Sequence, residues 1–289
     1  MSQTIFTGVC TALVTPFIEG CVNYPMAEQL LQRQIENGIK AVVVAGTTGE
    51  APTLTDEEKI ELFRRCKLHT GNRCKIIAGT GSNSTAHAVA LSKAAESVGV
   101  DALLVVSPYY NKGNDEGIFL HYLSIANAVS IPIIIYNVPS RTGLDIPVSV
   151  YRQLAAVPNI IGVKEASTDI TKITKIKSLC PETFAAWTGN DEHTVPAIAL
   201  GARGVISVTS NICPGEMLTM TEAALAGDMD TAADYQCRLQ TLNELLFSDV
   251  NPIPVKTAMK LIGYDCGTCR LPLTDLPAEK YERIRSFFQ

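Results

Sequence analysis

The chain has 289 residues, 46% hydrophobic and 18% charged, with a formal net charge of −5. That length suits one large α/β barrel or two average domains, and the composition is that of a globular chain with apolar material for a sizeable core. The acidic balance, without a dense Lys/Arg tract, argues against nucleic-acid binding. No run of roughly 18 apolar residues suggests a spanning helix, and Met1 to Gly8 lacks the basic-then-apolar order of a signal peptide.

In chain order, short apolar, β-rich runs fall at Gly8–Phe17, Ala41–Gly46, Lys75–Gly81, Ala102–Ser107, Ile133–Val138, Ile160–Ser167, Ala185–Asn190 and Gly204–Ser210. Runs such as Leu103-Leu104-Val105-Val106 and Ile133-Ile134-Ile135 are continuously apolar, as expected of parallel strands covered on both faces. Helix-length segments lie between them. Thr55-Asp56-Glu57-Glu58 reads as a capping box opening a helix that stops near Gly71, with Arg64, Arg65 and Lys67 towards its C-terminal end. Thr85–Val98 and Glu116–Val129 behave alike; in the latter, Leu123, Ala126 and Ala128 are expected on the sheet-facing stripe.

Eight strand–helix alternations predict a closed (β/α)8 barrel of the α/β class. A doubly wound sheet is the competing architecture, but the first strand ends in Thr15-Pro16-Phe17 with no glycine-rich phosphate loop. Beyond Ser210 the pattern is helical: Pro214–Ala226, Asp230–Phe247, Pro254–Ile262 and Ala278–Phe288. This divides the chain into a barrel over 1–226 and a C-terminal helical region over 227–289 packed on it.

Nine scattered cysteines include one Cys-x-x-Cys, Cys266 to Cys269, with no second pair at zinc-binding spacing. Reduced thiols in a cytoplasm are the simplest account. His69, His87, His121 and His193 fall on predicted helices or helix starts, so a histidine base is not expected. Asp191-Glu192-His193 reads as acids favourable at a helix start, and no metal site is expected.

In a barrel, polar residues at the C-terminal strand ends carry the chemistry. These ends are Gly46-Thr47-Thr48-Gly49-Glu50, Gly79-Thr80-Gly81, Ser107-Pro108-Tyr109-Tyr110-Asn111, the segment from Tyr136 to Gly143, Lys164-Glu165-Ala166-Ser167, Gly189-Asn190 and Ser207-Val208-Thr209-Ser210. Lys164 directly follows Ile160-Ile161-Gly162-Val163, so its stem starts inside a buried strand. A buried, unpaired ammonium is costly. An ordinary lysine at neutral pH holds roughly one free amine in 2,500, and desolvation raises that fraction and creates a nucleophile suited to carbonyl carbons. The competing role is a structural ion pair. Glu165 is not the expected partner, since strand neighbours face opposite sides. Gly46-Thr47-Thr48-Gly49 has the makings of an anion loop but no Walker lysine follows; read alone, it is an ordinary turn. Tyr136 is a core phenol or a group at the mouth. Arg141 is a loop cation or a carboxylate clamp.

Taken together, Gly46-Thr47-Thr48-Gly49-Glu50, the Tyr136–Gly143 segment and Gly162-Val163-Lys164-Glu165-Ala166 resemble the dihydrodipicolinate synthase family. Asn251-Pro252-Ile253-Pro254-Val255-Lys256 and Arg270-Leu271-Pro272-Leu273 resemble its C-terminal signatures. The resemblance runs nearly end to end. It implies a TIM barrel that condenses pyruvate with L-aspartate 4-semialdehyde in lysine and diaminopimelate biosynthesis, without a cofactor. It further implies Lys164 as the Schiff-base residue, with Thr47, Tyr136 and Tyr110 as a proton relay, Tyr110 coming from a neighbouring subunit of a homotetramer. Tyr109 would pack in that same interface. Thr48 would hold the pyruvate carboxylate and Arg141 that of the semialdehyde, while Gly189 and the Ile206 carbonyl line the site. A related lyase acting on N-acetylneuraminate or a sugar keto acid would share Lys164 and Tyr136, but the Arg141-Thr142-Gly143 trio favours the synthase. A non-catalytic keto-acid-binding barrel would be expected to lack the lysine or the relay, and both are present. Lysine-inhibited members of the family resemble one another in a pocket bearing a His and a Glu where this chain has Lys59 and His87, with Asn83 and Tyr109 kept. Weak or absent inhibition by lysine is therefore expected.

Overall fold

A computed structural model describes residues 4–289. The strands are Gly8–Ala12 (β1), Phe17–Ile18 (β2), Cys21–Val22 (β3), Ala41–Val44 (β4), Lys75–Gly79 (β5), Ala102–Val106 (β6), Ile133–Asn137 (β7), Ile160–Glu165 (β8), Ala185–Thr188 (β9) and Gly204–Ser207 (β10). Eight of them close into a parallel barrel in the order β1-β10-β9-β8-β7-β6-β5-β4, with β1 paired to both β10 and β4. The expected (β/α)8 architecture is present.

Its strands are buried on both faces, and period-two alternation sorts their side chains. Val9, Ile133, Ile135, Val163 and Val205 face the surrounding helices. Cys10, Ile134, Tyr136, Trp187 and Ile206 fill the barrel interior. Phe6 stacks on Trp187 at 4.9 Å between ring centroids within that interior cluster. The barrel is thus a packed core, with room for chemistry only at its mouth.

Around it lie Tyr24–Glu36 (α1), Asp56–Thr70 (α2), Thr85–Ser97 (α3), Asp115–Ala126 (α4), Pro139–Thr142 (α5), Val148–Leu154 (α6), Thr171–Leu179 (α7), Thr194–Ala199 (α8) and Pro214–Ala226 (α9). Then come Met229–Leu246 (α10), Ile253–Leu261 (α11) and Ala278–Phe287 (α12), of which α10 packs on α8 and α9. The Thr55 capping box is formed in both directions, satisfying two amides that the first turn of α2 would otherwise leave free. Gly71 caps the other end.

Four expectations need correction. The apolar run from Gly8 does not stay in the barrel to Phe17: β1 stops at Ala12, and Phe17–Ile18 pairs with Cys21–Val22 as a small hairpin. The last barrel strand stops at Ser207, and Thr209–Asn211 is a 3₁₀ turn. Asp191 caps no helix of its own; its Oδ2 accepts from the Val208 and Thr209 amides at 2.9 and 3.1 Å, holding the loop after β10. On α4 the buried stripe is Ile118, His121, Tyr122, Ile125 and Ala126, while Leu123 and Ala128 are only partly buried. The helix is rotated so that Tyr122 reaches the sheet, where its hydroxyl donates to the Val105 carbonyl at 3.1 Å.

Candidate active site

Lys164 points into the barrel because of a bulge. The pairing of β7 with β8 runs Ile133 to Ile160 and then Ile134 to Gly162, so Ile161 is an extra residue. Strict alternation from the outward Ile160 would turn Lys164 outward; the inserted residue resets the phase and turns it in. The register then sets Tyr136 and Trp187 on either side of Lys164. Gly162 makes the bulge possible: a Cβ there would lie 2.1 Å from the Ala185 carbonyl oxygen.

Four lysines are buried: Lys59, Lys164, Lys172 and Lys256. Lys59 pairs with Asp56, Lys172 with Asp145 and Lys256 with Glu50. Lys164, 5% exposed, has no carboxylate partner among the described residues; its Nζ lies 4.4 Å from the centroid of the Tyr136 ring. A cation over a π face is partly stabilised, yet the amine's hydrogen-bonding capacity stays uncommitted.

Glu165, the next residue, faces outward as expected and is buried. It accepts from the Asn137 side-chain amide at 2.9 Å, the Ser167 amide at 2.8 Å and the Tyr151 hydroxyl at 3.0 Å. Burial first, and then the Glu165 charge, push the Tyr151 phenol well up, so it remains a donor. Asn137 follows Tyr136, so this network pins the strand ends carrying both interior residues.

The Gly46–Glu50 loop closes on itself. The Gly46 carbonyl accepts from the Gly49 and Ala51 amides, and the Thr47 carbonyl from that of Glu50. The Thr47 and Thr48 amides donate to no described group, leaving two N–H groups for an anion. Ala45 and Glu50 sit at φ 51° and 55°, strained backbone for side-chain-bearing residues. Gly79 allows the approach, since a Cβ on it would meet the Ala45 carbonyl oxygen at 2.1 Å.

A cleft of about 450 Å³ opens at the mouth, lined by Thr47, Tyr136 and Arg141 among others. Arg141 stands on α5, a helical turn where a loop was expected, and its Nη2 donates to the Asn251 carbonyl at 3.2 Å. Gly189 lies against Lys164: a Cβ there would be 2.8 Å from the lysine Cε. Ile206 is fully buried in the barrel wall, and Thr48 is buried behind its loop, where Oγ1 accepts from the Asn251 Nδ2 at 3.0 Å. Tyr110 does not join them within one chain. It is 90% exposed, and Tyr109 lines the cleft instead.

The same cleft reaches Lys59 and His87. His87 Nε2 is 2.7 Å from one Asp56 oxygen and Lys59 Nζ 3.5 Å from the other, while His87 Nδ1 lies 3.1 Å from the Ser82 hydroxyl. Against the cost of burial, the His87 hydrogen bond and the Lys59 charge hold the Asp56 carboxyl below its ordinary range. Two groups escaped sequence reasoning. Asn137 and Asn251 gave no motif or charge signal of a role, although Asn251 stands in a recognisable C-terminal segment.

Fold and cleft together place the chain among (β/α)8-barrel enzymes with a buried amine at the mouth of the barrel. The comparisons narrow that class. The chain belongs to the dihydrodipicolinate synthetase family, whose model matches residues 5–289. It is 46% identical over 283 residues to the 4-hydroxy-tetrahydrodipicolinate synthase of Thermoanaerobacter sp. (strain X514), covering 98% of this chain and 95% of the other. The enzyme of the same name from Acetivibrio thermocellus is 44% identical, with 99% and 97% covered. Among solved structures, dihydrodipicolinate synthase from Aquifex aeolicus superposes with a TM-score of 0.96 at 42% identity, covering 98% of this chain and 97% of that one. The enzyme from Cyanidioschyzon merolae, solved with lysine bound, has a TM-score of 0.95, also at 42% identity, with 98% and 97% covered.

Proposed function

We infer that this enzyme catalyses the 4-hydroxy-tetrahydrodipicolinate synthase reaction, joining pyruvate to L-aspartate 4-semialdehyde through an imine on Lys164. The observation that carries the reading is the unpaired amine: of the four buried lysines, only Lys164 lacks a carboxylate. The family membership and the names of its relatives support the synthase over a sugar-acid lyase.

In this reading the Lys164 amine adds to C2 of pyruvate and water leaves, giving a protonated imine. That nitrogen draws electrons, the pyruvate methyl loses a proton to give an enamine, and the enamine carbon attacks the aldehyde. The amino group of the second substrate then closes the ring and releases the lysine. Thr47, Tyr136 and Tyr110 relay the protons, with Tyr110 supplied by a neighbouring copy in a homotetramer. Thr48 and the free amides of its loop hold the pyruvate carboxylate, Arg141 holds that of the semialdehyde, and Gly189 and the Ile206 carbonyl border the imine.

Residues 1–226 serve as the catalytic barrel and 227–289 as a helical brace on it. The nine cysteines are unbridged, which suits the reducing cytoplasm, and none of the described helices is long and apolar enough to cross a membrane.

Borohydride treatment with pyruvate is expected to add a reduced pyruvyl group at Lys164, found by peptide mapping. Lys164→Ala should abolish both the label and turnover. Labelling elsewhere, or full turnover by that variant, overturns the assignment.

A further inference from the structure

Asn251 lies outside the barrel strands, just before α11, yet it touches both groups assigned above to substrate carboxylates. Its Nδ2 donates to Thr48 Oγ1 at 3.0 Å, and its backbone carbonyl accepts from Arg141 Nη2 at 3.2 Å. The residue is 5% exposed, and its Oδ1 is buried with no partner. An amide with an orphaned oxygen is a poor filler for an apolar site; a leucine would fill the space without that cost. What the amide supplies is a donor aimed at Thr48.

A threonine hydroxyl has one proton and two lone pairs. With a lone pair occupied by the Asn251 amide, the Thr48 O–H must point elsewhere, and no described acceptor receives it. The Thr47 and Thr48 amides of the same loop are also uncommitted. The loop therefore offers three donors and no competing acceptor, the polarity a carboxylate requires.

We propose that Asn251 is a positioning residue for the condensation: its side-chain amide holds the Thr48 hydroxyl as a donor towards the pyruvate carboxylate, so that the C-terminal region sets pyruvate affinity from outside the barrel. The proposal rests on the Schiff-base reading, and the test separates the two. The probe is borohydride trapping of pyruvate at Lys164, read as label against pyruvate concentration.

Asn251→Asp is isosteric. Its carboxylate takes the Thr48 proton and adds a negative charge beside the substrate anion. It is expected to raise the half-trapping pyruvate concentration at least tenfold while Lys164 still labels fully at saturation. Asn251→Ala should raise it less, and Thr48→Val should match Asn251→Ala. In the Thr48→Val background, Asn251→Ala should add less than a factor of two. A residue that merely supports the fold would instead lower the fraction of chain that labels, at an unchanged half-trapping concentration. Pyruvate trapping by Thr48→Val at the parent concentration overturns the proposal however the Asn251 variants fold. So does a full tenfold effect of Asn251→Ala in the Thr48→Val background. An unlabelled parent chain removes the Schiff-base reading itself, and this proposal with it.

Discussion

Side chains in this cleft are distinguished by what they lack. Lys164 has no carboxylate and the Thr48 hydroxyl no acceptor, whereas the neighbouring cations are all satisfied. Lys59 and His87 converge on Asp56, within the cleft that also holds Thr47 and Tyr136. A lysine ligand brings two ammonium groups. It would meet Lys59, which repels it and offers no acceptor, and an Asp56 already occupied on both oxygens. We expect steady-state turnover to be insensitive to lysine at concentrations that saturate sensitive family members, and Lys59→His with His87→Glu to confer sensitivity. Strong inhibition of the parent chain at low lysine would contradict this. Lys164 was legible as a candidate because a charge stood at the end of an apolar run. Asn251 was not, because an asparagine before a proline looks like any turn until its partner Thr48 is folded against it.

At the scale of elements, the decisive feature is the β8 bulge. Alternation counted along the sequence separates Lys164 from Glu165 correctly, but it cannot say which of the two faces inward. The extra Ile161 and the clearance at Gly162 settle that, and both depend on what β7 and β9 present across the ladder. The rotation of α4 has the same origin, since the best-packed face depends on the sheet beneath. That rotation buries His121, whose Nδ1 lies 2.9 Å from the Thr85 hydroxyl on α3. Burial lowers its pKa from 6.5 to about 4. Between those values the unfolded chain holds a proton that the folded chain refuses. The stability due to the neutral ring is therefore complete above about pH 6.5 and falls with pH, by roughly 3 kcal/mol on reaching pH 4. Urea unfolding from pH 7 to 4.5 should show a shallower loss for His121→Gln than for the parent. Identical slopes would mean that His121 is not held neutral.

Over the whole molecule, one chain leaves its proposed relay incomplete. Tyr110 is 90% exposed and held at φ 71°, in backbone strained for a tyrosine, and it faces away from its own cleft. If it acts in a neighbouring copy, Lys164→Ala chains and Tyr110→Phe chains should each turn over poorly and recover activity once their subunits are mixed. Sites carrying an intact Lys164 would then receive an intact Tyr110. A mixture no more active than the sum of its parts would place Tyr110 outside the relay. The barrel, the helical region after Ser210 and the ring of polar strand ends were determined by the sequence alone, because they follow from local periodicity and from the rule that strand C-termini share one face. Which lysine is unpaired, which way it points and which distant residue turns the Thr48 hydroxyl were decided only by the tertiary structure. Each depends on partners brought together across the barrel, such as the 203 residues separating Thr48 from Asn251, and no local pattern in a chain encodes such a pairing.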